Sequence, residues 1–333
     1  MDKIFFNELN LNPNMINLTI GSGSHGEITA KMMIEIEKVL LKEKPDVVLV
    51  QGDTNSVLAG ALTSVKLNIP IAHIEAGLRS FDRRMPEEYN RIICDHICNY
   101  LFAPTKLAEK NLLDEGISNK QLIYNEKVTN QKIFLTGNTT VDVIKQNLER
   151  ANNSEIIKKL GLSKNEYFLL TAHRQENVDN KANLIGIING IKKVSEHYNL
   201  PIIYQIHPRT KKRLTEFNLI EEISKIKNLK IIEPLGFLDL LALESNAKLI
   251  LTDSGGIQEE ACSLMVPCVV LRDKSDRPES LEVGASLLSG CDSNKILENT
   301  IKILERERIW ENPFGDGTSS EKTINILTKE FQK

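Results

Sequence analysis

Short apolar runs rich in Val and Ile alternate along this chain with longer amphipathic stretches, and that alternation narrows its possible folds more than any other feature. A run of four or five apolar residues with no polar partner between them is buried on both faces, as in a parallel strand covered by helices. Parallel neighbours need a crossover of a dozen or more residues, which the amphipathic stretches supply. The pattern predicts strands at 16–20, 47–51, 69–74, 99–103 and 133–136, with helices at 27–43, 54–67, 87–99, 105–115 and 141–151. The chain turns polar at Asn152-Asn153-Ser154-Glu155, and a second series of strands follows at 167–171, 201–206, 229–232, 247–251 and 267–271. With 333 residues, the expectation is two doubly wound α/β domains, 1–151 and 152–317. A last helix within 318–333 crosses back onto the first domain after the Pro-Phe-Gly-Asp-Gly break at 313–317.

Charge and cysteine usage exclude several functions. Lys plus Arg number 42 against 45 Asp plus Glu, a formal net charge of −3, so no uniformly basic surface is present to hold nucleic acid. No apolar run reaches the roughly 18 residues that a membrane span requires, and the opening Met1-Asp2-Lys3-Ile4-Phe5-Phe6-Asn7-Glu8 does not read as a signal peptide. These features predict a cytoplasmic protein that engages neither membrane nor nucleic acid. The five cysteines, Cys94, Cys98, Cys262, Cys268 and Cys291, read as small buried hydrophobes. Cys94 and Cys98 flank His96 at helical spacing, but no second ligand pair follows, so no metal is expected.

In open parallel sheets the chemistry gathers at the carboxyl ends of strands. The most informative cluster there is Thr252-Asp253-Ser254-Gly255-Gly256-Ile257-Gln258-Glu259-Glu260. Ser254, Gly255 and Gly256 open a helix, so their amides and the helix dipole suit a phosphate, and Glu260 one turn on suits a ribose diol. A plain helix cap would account for Ser254 alone. In the first half, Asp53, Glu75 and Glu87 follow neighbouring strands, and carboxylates gathered this way can act as general acids and bases. Taken singly, each reads equally as a cap or a surface charge. Arg91, four residues after Glu87, is either an intrahelical ion pair or a clamp for an anion. His173, Arg174 and Glu176 form a polar cluster after the first strand of the second half; His207 could touch a phosphate or sugar hydroxyl, and Arg272 and Arg277 could close over a diphosphate.

Gly21-Ser22-Gly23-Ser24-His25-Gly26 has the literal spacing of a dinucleotide-binding loop. The acid that should end a strand about 20 residues later is missing, because Asp46 begins a strand rather than ending one. No nicotinamide or other cofactor is expected.

Taken together, Gly52-Asp53-Thr54, His73-Ile74-Glu75-Ala76-Gly77-Leu78-Arg79, Pro86-Glu87-Glu88-Tyr89-Asn90-Arg91, Gly137-Asn138-Thr139, Ala172-His173-Arg174, the 252–260 run and Asn312-Pro313-Phe314-Gly315-Asp316-Gly317 resemble the non-hydrolysing UDP-N-acetylglucosamine 2-epimerases. The resemblance implies a GT-B fold of two Rossmann-like halves facing a cleft, and interconversion of UDP-GlcNAc and UDP-ManNAc through loss and return of UDP, without a cofactor. It assigns Asp53, Glu75 and Glu87 as catalytic acids, His173 and Arg91 as substrate contacts, and Ser254, Gly255, Gly256 and Glu260 as the UDP grip. It also matches Arg174 and His207 to part of a second UDP-GlcNAc site in bacterial relatives, and it implies a homodimer. Two departures stand out. The chain starts beyond the family's Gly-Thr-Arg-Pro-Glu loop and Gly-Gln-His segment, as an N-terminally truncated member would, and Leu240 replaces an aromatic whose place over uracil Phe237 could take. Arg83-Arg84-Met85-Pro86 resembles relatives acting on diacetamido-uronic acid sugars, which keeps that substrate open beside a GT-B glycosyltransferase and a non-catalytic UDP-sugar-binding remnant.

Overall fold

A computed structural model describes residues 15–117, 121–124 and 127–332. Their contacts divide the chain into two compact units, one of residues 15–142 with 314–332, the other Val143–Pro313.

The first unit holds β1 (Val48–Gln51), β2 (Ile71–Ile74), β3 (Tyr100–Ala103), β4 (Gln121–Tyr124), β5 (Lys127–Asn130) and β6 (Lys132–Leu135). Strands β1-β2-β3-β6 form one parallel sheet in that order, and β4 pairs with β5 as an antiparallel ribbon. Helices Asn55–Lys66, Pro86–Ile97 and Lys106–Asp114 make the crossovers. One sheet face buries Val50, Ile71, Leu101 and Ile133 against Val57, Cys94, Cys98 and Leu112. The opposite face buries Ala72 and Phe102 against Leu327, with Phe102 stacked on Phe134 at 5.6 Å. Each fully buried Leu, Ile or Phe contributes about 2 kcal/mol.

The second unit is a six-stranded parallel sheet of β7 (Phe168–Thr171), β8 (Ile202–Gln205), β9 (Leu229–Ile232), β10 (Leu249–Thr252), β11 (Cys268–Val270) and β12 (Ser286–Leu288). Its order is β12-β11-β10-β7-β8-β9. Alternate residues feed two cores: Phe168, Leu170, Leu249 and Leu251 lie in one, and Tyr167, Leu169 and Ile250 in the other. This two-sided burial is what the unbroken apolar runs predicted. The strand order reverses between β7 and β10, which makes the carboxyl ends of that pair the ligand-binding edge of such a sheet.

Most predicted elements form within one to two residues of their expected ends, and one does not. No strand forms at 16–20; the chain there is irregular up to Ser24, which caps the His25–Glu43 helix. Thr19 adopts φ 53, and no ladder accompanies Ile16 to Ile20, so their backbone groups lack the partner a strand requires. The 21–26 glycine run therefore follows no strand, and the context its dinucleotide reading demands is absent. All five cysteines are free, and four are buried. No helix among the described residues is long and apolar enough to cross a membrane.

Candidate active site

In the first unit, β1 and β2 run side by side with Gln51 opposite Ile74, so the turns carrying Asp53 and Glu75 leave neighbouring strand ends. Gly52, at φ 81, starts the first turn, and its amide bonds the Ile74 carbonyl at 3.1 Å. Glu75 is held at φ 69, a left-handed conformation costing an ordinary side chain roughly 1–2 kcal/mol. Strain of this kind gathers at functional positions. Gln51 Nε2 donates to Glu75 Oε1 at 3.2 Å and to Thr139 Oγ1 at 2.9 Å.

The Pro86–Ile97 helix supplies the third carboxylate. Glu87 and Glu88 share its first turn. Glu88, 2% exposed, accepts from Ser80 N and Oγ, Phe81 N and Arg91 Nη1 at 2.7–3.0 Å. Burial alone would raise its pKa, but those four donors together hold it below the ordinary carboxylate value. Glu87 is half-buried, and its side chain makes no hydrogen bond or ion pair with another described residue. Arg91 departs from the pairing its spacing with Glu87 offered. Its guanidinium grips Asp53 Oδ2 through Nε (3.0 Å) and Nη2 (2.6 Å) and Glu88 through Nη1, three residues away rather than four. Asn90 Nδ2 donates to the Asp53 carbonyl at 2.8 Å, so the one helix fixes both backbone and side chain of Asp53.

Behind this edge lies a network that sequence reasoning missed. Asp95, 0% exposed, meets His73 Nδ1 at 2.7 Å, Arg79 Nη1 at 2.6 Å and the Gly77 amide at 3.1 Å. Burial would raise the Asp95 pKa, but His73 and Arg79 overcome it and hold the carboxylate below its usual range. Arg79 also makes a two-pronged pair with Glu115, both bonds 2.7 Å.

In the second unit, Thr171 lies opposite Thr252 with their hydroxyls 2.6 Å apart, so the His173 turn and the Ser254 turn emerge from adjacent strands. Ser254 caps the Gly255–Ser263 helix, its Oγ 3.5 Å from the Ile257 amide. A Cβ at Gly255 would lie 2.9 Å from Asp276 Oδ1, whereas one at Gly256 would meet nothing nearer than Ser254 Oγ at 3.9 Å. Nothing within the chain thus demands glycine at position 256, and its exposed backbone is open to a ligand. Asp276 gathers Arg272 at 3.0 Å with Arg174 and Arg277 at 3.9 Å, placing three guanidiniums around one carboxylate beside this helix start. The Arg174 Nε is buried without a hydrogen-bond partner.

Buried Asp253 organises the His173 turn, accepting from the amides of His173 and Arg174 and from Asn177 Nδ2 at 2.9–3.0 Å. The His173 ring lies 5.5 Å from that of His207. Burial lowers the His173 pKa, Asp253 partly offsets it, and His207 and Arg174 lower it further, so the ring is neutral near pH 7. His207 caps the Pro208–Glu216 helix by accepting from the Arg209 amide. Phe237 opens the Phe237–Asn246 helix, half-buried against the core that contains Leu241 and Ala242. Glu260 pairs with Glu244 of that helix. Burial, then Glu259, raises Glu260 to about 7, although its bond to Glu244 works the other way. Among the described residues no group of His, Cys, Asp or Glu is placed to hold a metal ion.

The family model described as UDP-N-acetylglucosamine 2-epimerase matches residues 1–328. The chain belongs to the UDP-N-acetylglucosamine 2-epimerase family. It is 57% identical to a UDP-N-acetylglucosamine 2-epimerase of Methanocaldococcus jannaschii, over 98% of this chain and 87% of that one. It is 38% identical to a UDP-2,3-diacetamido-2,3-dideoxy-D-glucuronate 2-epimerase of Pseudomonas aeruginosa, over 99% and 88%. A crystal structure of the Methanocaldococcus jannaschii enzyme in complex with UDP-GlcNAc and UDP superimposes with a TM-score of 0.87, over 99% of this chain and 88% of that one. The fold is GT-B-like, as the sequence resemblance implied.

Proposed function

We propose that this protein is a UDP-N-acetylglucosamine 2-epimerase, interconverting UDP-GlcNAc and UDP-ManNAc. The C2 hydrogen of the sugar is not acidic in itself. Departure of UDP from C1 builds positive character at the ring that lets a carboxylate remove it, leaving a glycal. Protonation of C2 from the opposite face and return of UDP to C1 give the epimer.

The observation that carries this reading is a division of labour between two strand-end sites. The 143–313 unit offers the Ser254–Gly256 helix start and the arginines around Asp276, a seat for the leaving diphosphate. The other unit offers Asp53, Glu75 and Glu87, of which Glu87 is unengaged and able to move a proton. No redox group is needed, because the hydrogen leaves and returns as a proton. The 57% identity favours UDP-GlcNAc over a diacetamido-uronic acid substrate, whose relative is 38% identical. A homodimer working in the cytoplasm belongs to the same proposal.

Interrupting the reaction halfway tests it. Individual Gln or Asn replacements of Glu87, Glu75 and Asp53 should include at least one that releases free UDP and the 2-acetamido glycal from UDP-GlcNAc. Inactivity of all three with no glycal formed by any would count against the elimination route.

A further inference from the structure

We propose that His73 is held permanently as an imidazolium and is the positioning residue for Asp53, an inference that rests on the role given to Asp53 above. The ring is 0% exposed, at the end of β2, and each of its nitrogens faces an oxygen: Nδ1 lies 2.7 Å from Asp95 Oδ1, and Nε2 lies 2.8 Å from the carbonyl of Gly52. A carbonyl and a carboxylate only accept hydrogen bonds, so both ring nitrogens must donate, and only the imidazolium does so. A neutral ring would set one lone pair against an oxygen lone pair at contact distance, in a site water does not reach. Moving the shared proton onto Asp95 is opposed by Arg79, whose Nη1 stands 2.6 Å from that carboxylate, and by the Gly77 amide on the same Oδ2.

The charged groups facing the ring are Asp95 from the Pro86–Ile97 helix, Arg79 behind Asp95, Glu115 paired to Arg79, and Glu75 two residues along. Burial alone would strip the proton; Asp95, the Gly52 carbonyl and Glu75 outweigh it and leave the proton more tightly held than in a free histidine. The consequence reaches Asp53 through a single peptide. Gly52 adopts φ 81, and the bond from His73 fixes the direction of its carbonyl and hence of the next residue. Arg91 and Asn90 then hold the side chain and the carbonyl of Asp53 from the other side. A neutral His73 would keep its one proton on Nδ1, facing the Asp95 carboxylate, so the Gly52 carbonyl would lose its donor and Asp53 would be held from the Asn90 side alone; a shift of about 1 Å in a catalytic group costs on the order of 10²-fold in rate.

His73 is buried, whereas the other five histidines are exposed or half-exposed, so its ring signals are identifiable in the intact protein by slow hydrogen exchange. Nitrogen-15 NMR of histidine-labelled protein should show this ring with both nitrogens protonated from pH 6 to 8.5. A ring with one unprotonated nitrogen at pH 7 overturns the proposal. Steady-state rates supply the second arm: His73→Phe should lower kcat about 10²-fold while KM and the thermal stabilisation given by UDP stay within twofold. An unchanged kcat, or a kcat and a KM that worsen in proportion, overturns the positioning role. If His73→Phe does not fold, His73→Gln, whose one amide nitrogen can donate to the Gly52 carbonyl but cannot also reach Asp95, decides the positioning: a kcat lowered with KM within twofold supports it, and an unchanged kcat overturns it. The spectrum of the unaltered protein still decides the charge. That spectrum does not depend on turnover, so a doubly protonated ring in a protein that fails to epimerise would count against the proposed function and not against the charge on His73.

Discussion

Glu87 and Glu88 are adjacent and chemically identical, yet the fold gives them opposite surroundings. Glu88 is enclosed by four donors that fasten the 80–81 loop to the helix start, while Glu87 is unengaged. Replacing Glu88 by Gln should cost about 2 kcal/mol of stability, because a buried charge-assisted network is broken. Replacing Glu87 by Gln should leave stability within about 0.5 kcal/mol and lower turnover by roughly 10²- to 10⁴-fold. Denaturant melts alongside epimerisation rates separate the two, and a Glu87→Gln variant that melts early but turns over normally would reverse the assignment. The sequence carried Glu87, Asp53 and Glu75 as acids following strands, but could not show that Arg91 belongs to Asp53 and Glu88, since helical spacing offered Glu87 equally well. His73 and Asp95 were hidden for a different reason: a buried histidine in an apolar strand, or an aspartate in a helix, has no local pattern that reveals its partner.

Between elements, two polar contacts set stability in ways the apolar pattern does not reveal. The Ser319–Phe331 helix docks on the first unit through Leu327 and Phe331, and its first amides are capped by Asp142: Ser319 N to Oδ1 at 3.0 Å and Ser320 N to Oδ2 at 2.6 Å. The turn before it passes through a close approach of two glycines. A Cβ on Gly315 would lie 3.0 Å from Gly137 Cα, which accounts for both Gly137-Asn138-Thr139 and the 312–317 run as packing motifs. Asp142→Ala should therefore cost about 1–2 kcal/mol, as loss of a helix cap does, and a melting temperature unchanged from the parent protein would refute the cap.

The second contact joins the helices bearing Glu244 and Glu260. Glu244 is 1% exposed, and its nearest charged partner is another carboxyl, so burial and then Glu260 raise its pKa well above the ordinary value. Glu260 sits at about 7 against 4.5 unfolded. A raised folded value means that the pair favours the fold fully below about pH 4.5 and that this support is lost as pH rises through 7. Because Glu260 is partly exposed, the loss should be about 1–2 kcal/mol rather than the full Coulombic figure. Thermal melts at pH 5.5 and 8 should show the protein weaker at pH 8, and Glu260→Gln, which removes the group that titrates in that window, should remove most of that difference. A difference that survives in Glu260→Gln would place its origin elsewhere.

Across the whole molecule, the alternation of apolar runs with amphipathic stretches was enough to expect two doubly wound parallel sheets, because burial on both faces leaves a mark in sequence. It missed β12 and the β4–β5 ribbon, because Ser286-Leu287-Leu288 and Lys127-Val128-Thr129-Asn130 carry too few apolar residues to stand out as buried runs. It also invented a strand at 16–20, where Leu18 and Ile20 are only half-buried. Of the candidate site, the local part was legible, as in the glycine-rich helix start at 254–256, and the part that depends on which strands are neighbours was not. Sheet order supplies that: β10 beside β7 brings the Ser254 turn to His173, and β1 beside β2 brings Asp53 to Glu75.

The central claim is that the C2 hydrogen leaves as a proton and is replaced. Incubation of the protein with UDP-GlcNAc in deuterated water, followed by NMR of the sugar, tests it most directly. UDP-ManNAc carrying deuterium at C2 should accumulate, and deuterium should appear at C2 of the returned UDP-GlcNAc. Formation of UDP-ManNAc with hydrogen retained at C2, or no epimer and no exchange at all, would contradict the claim.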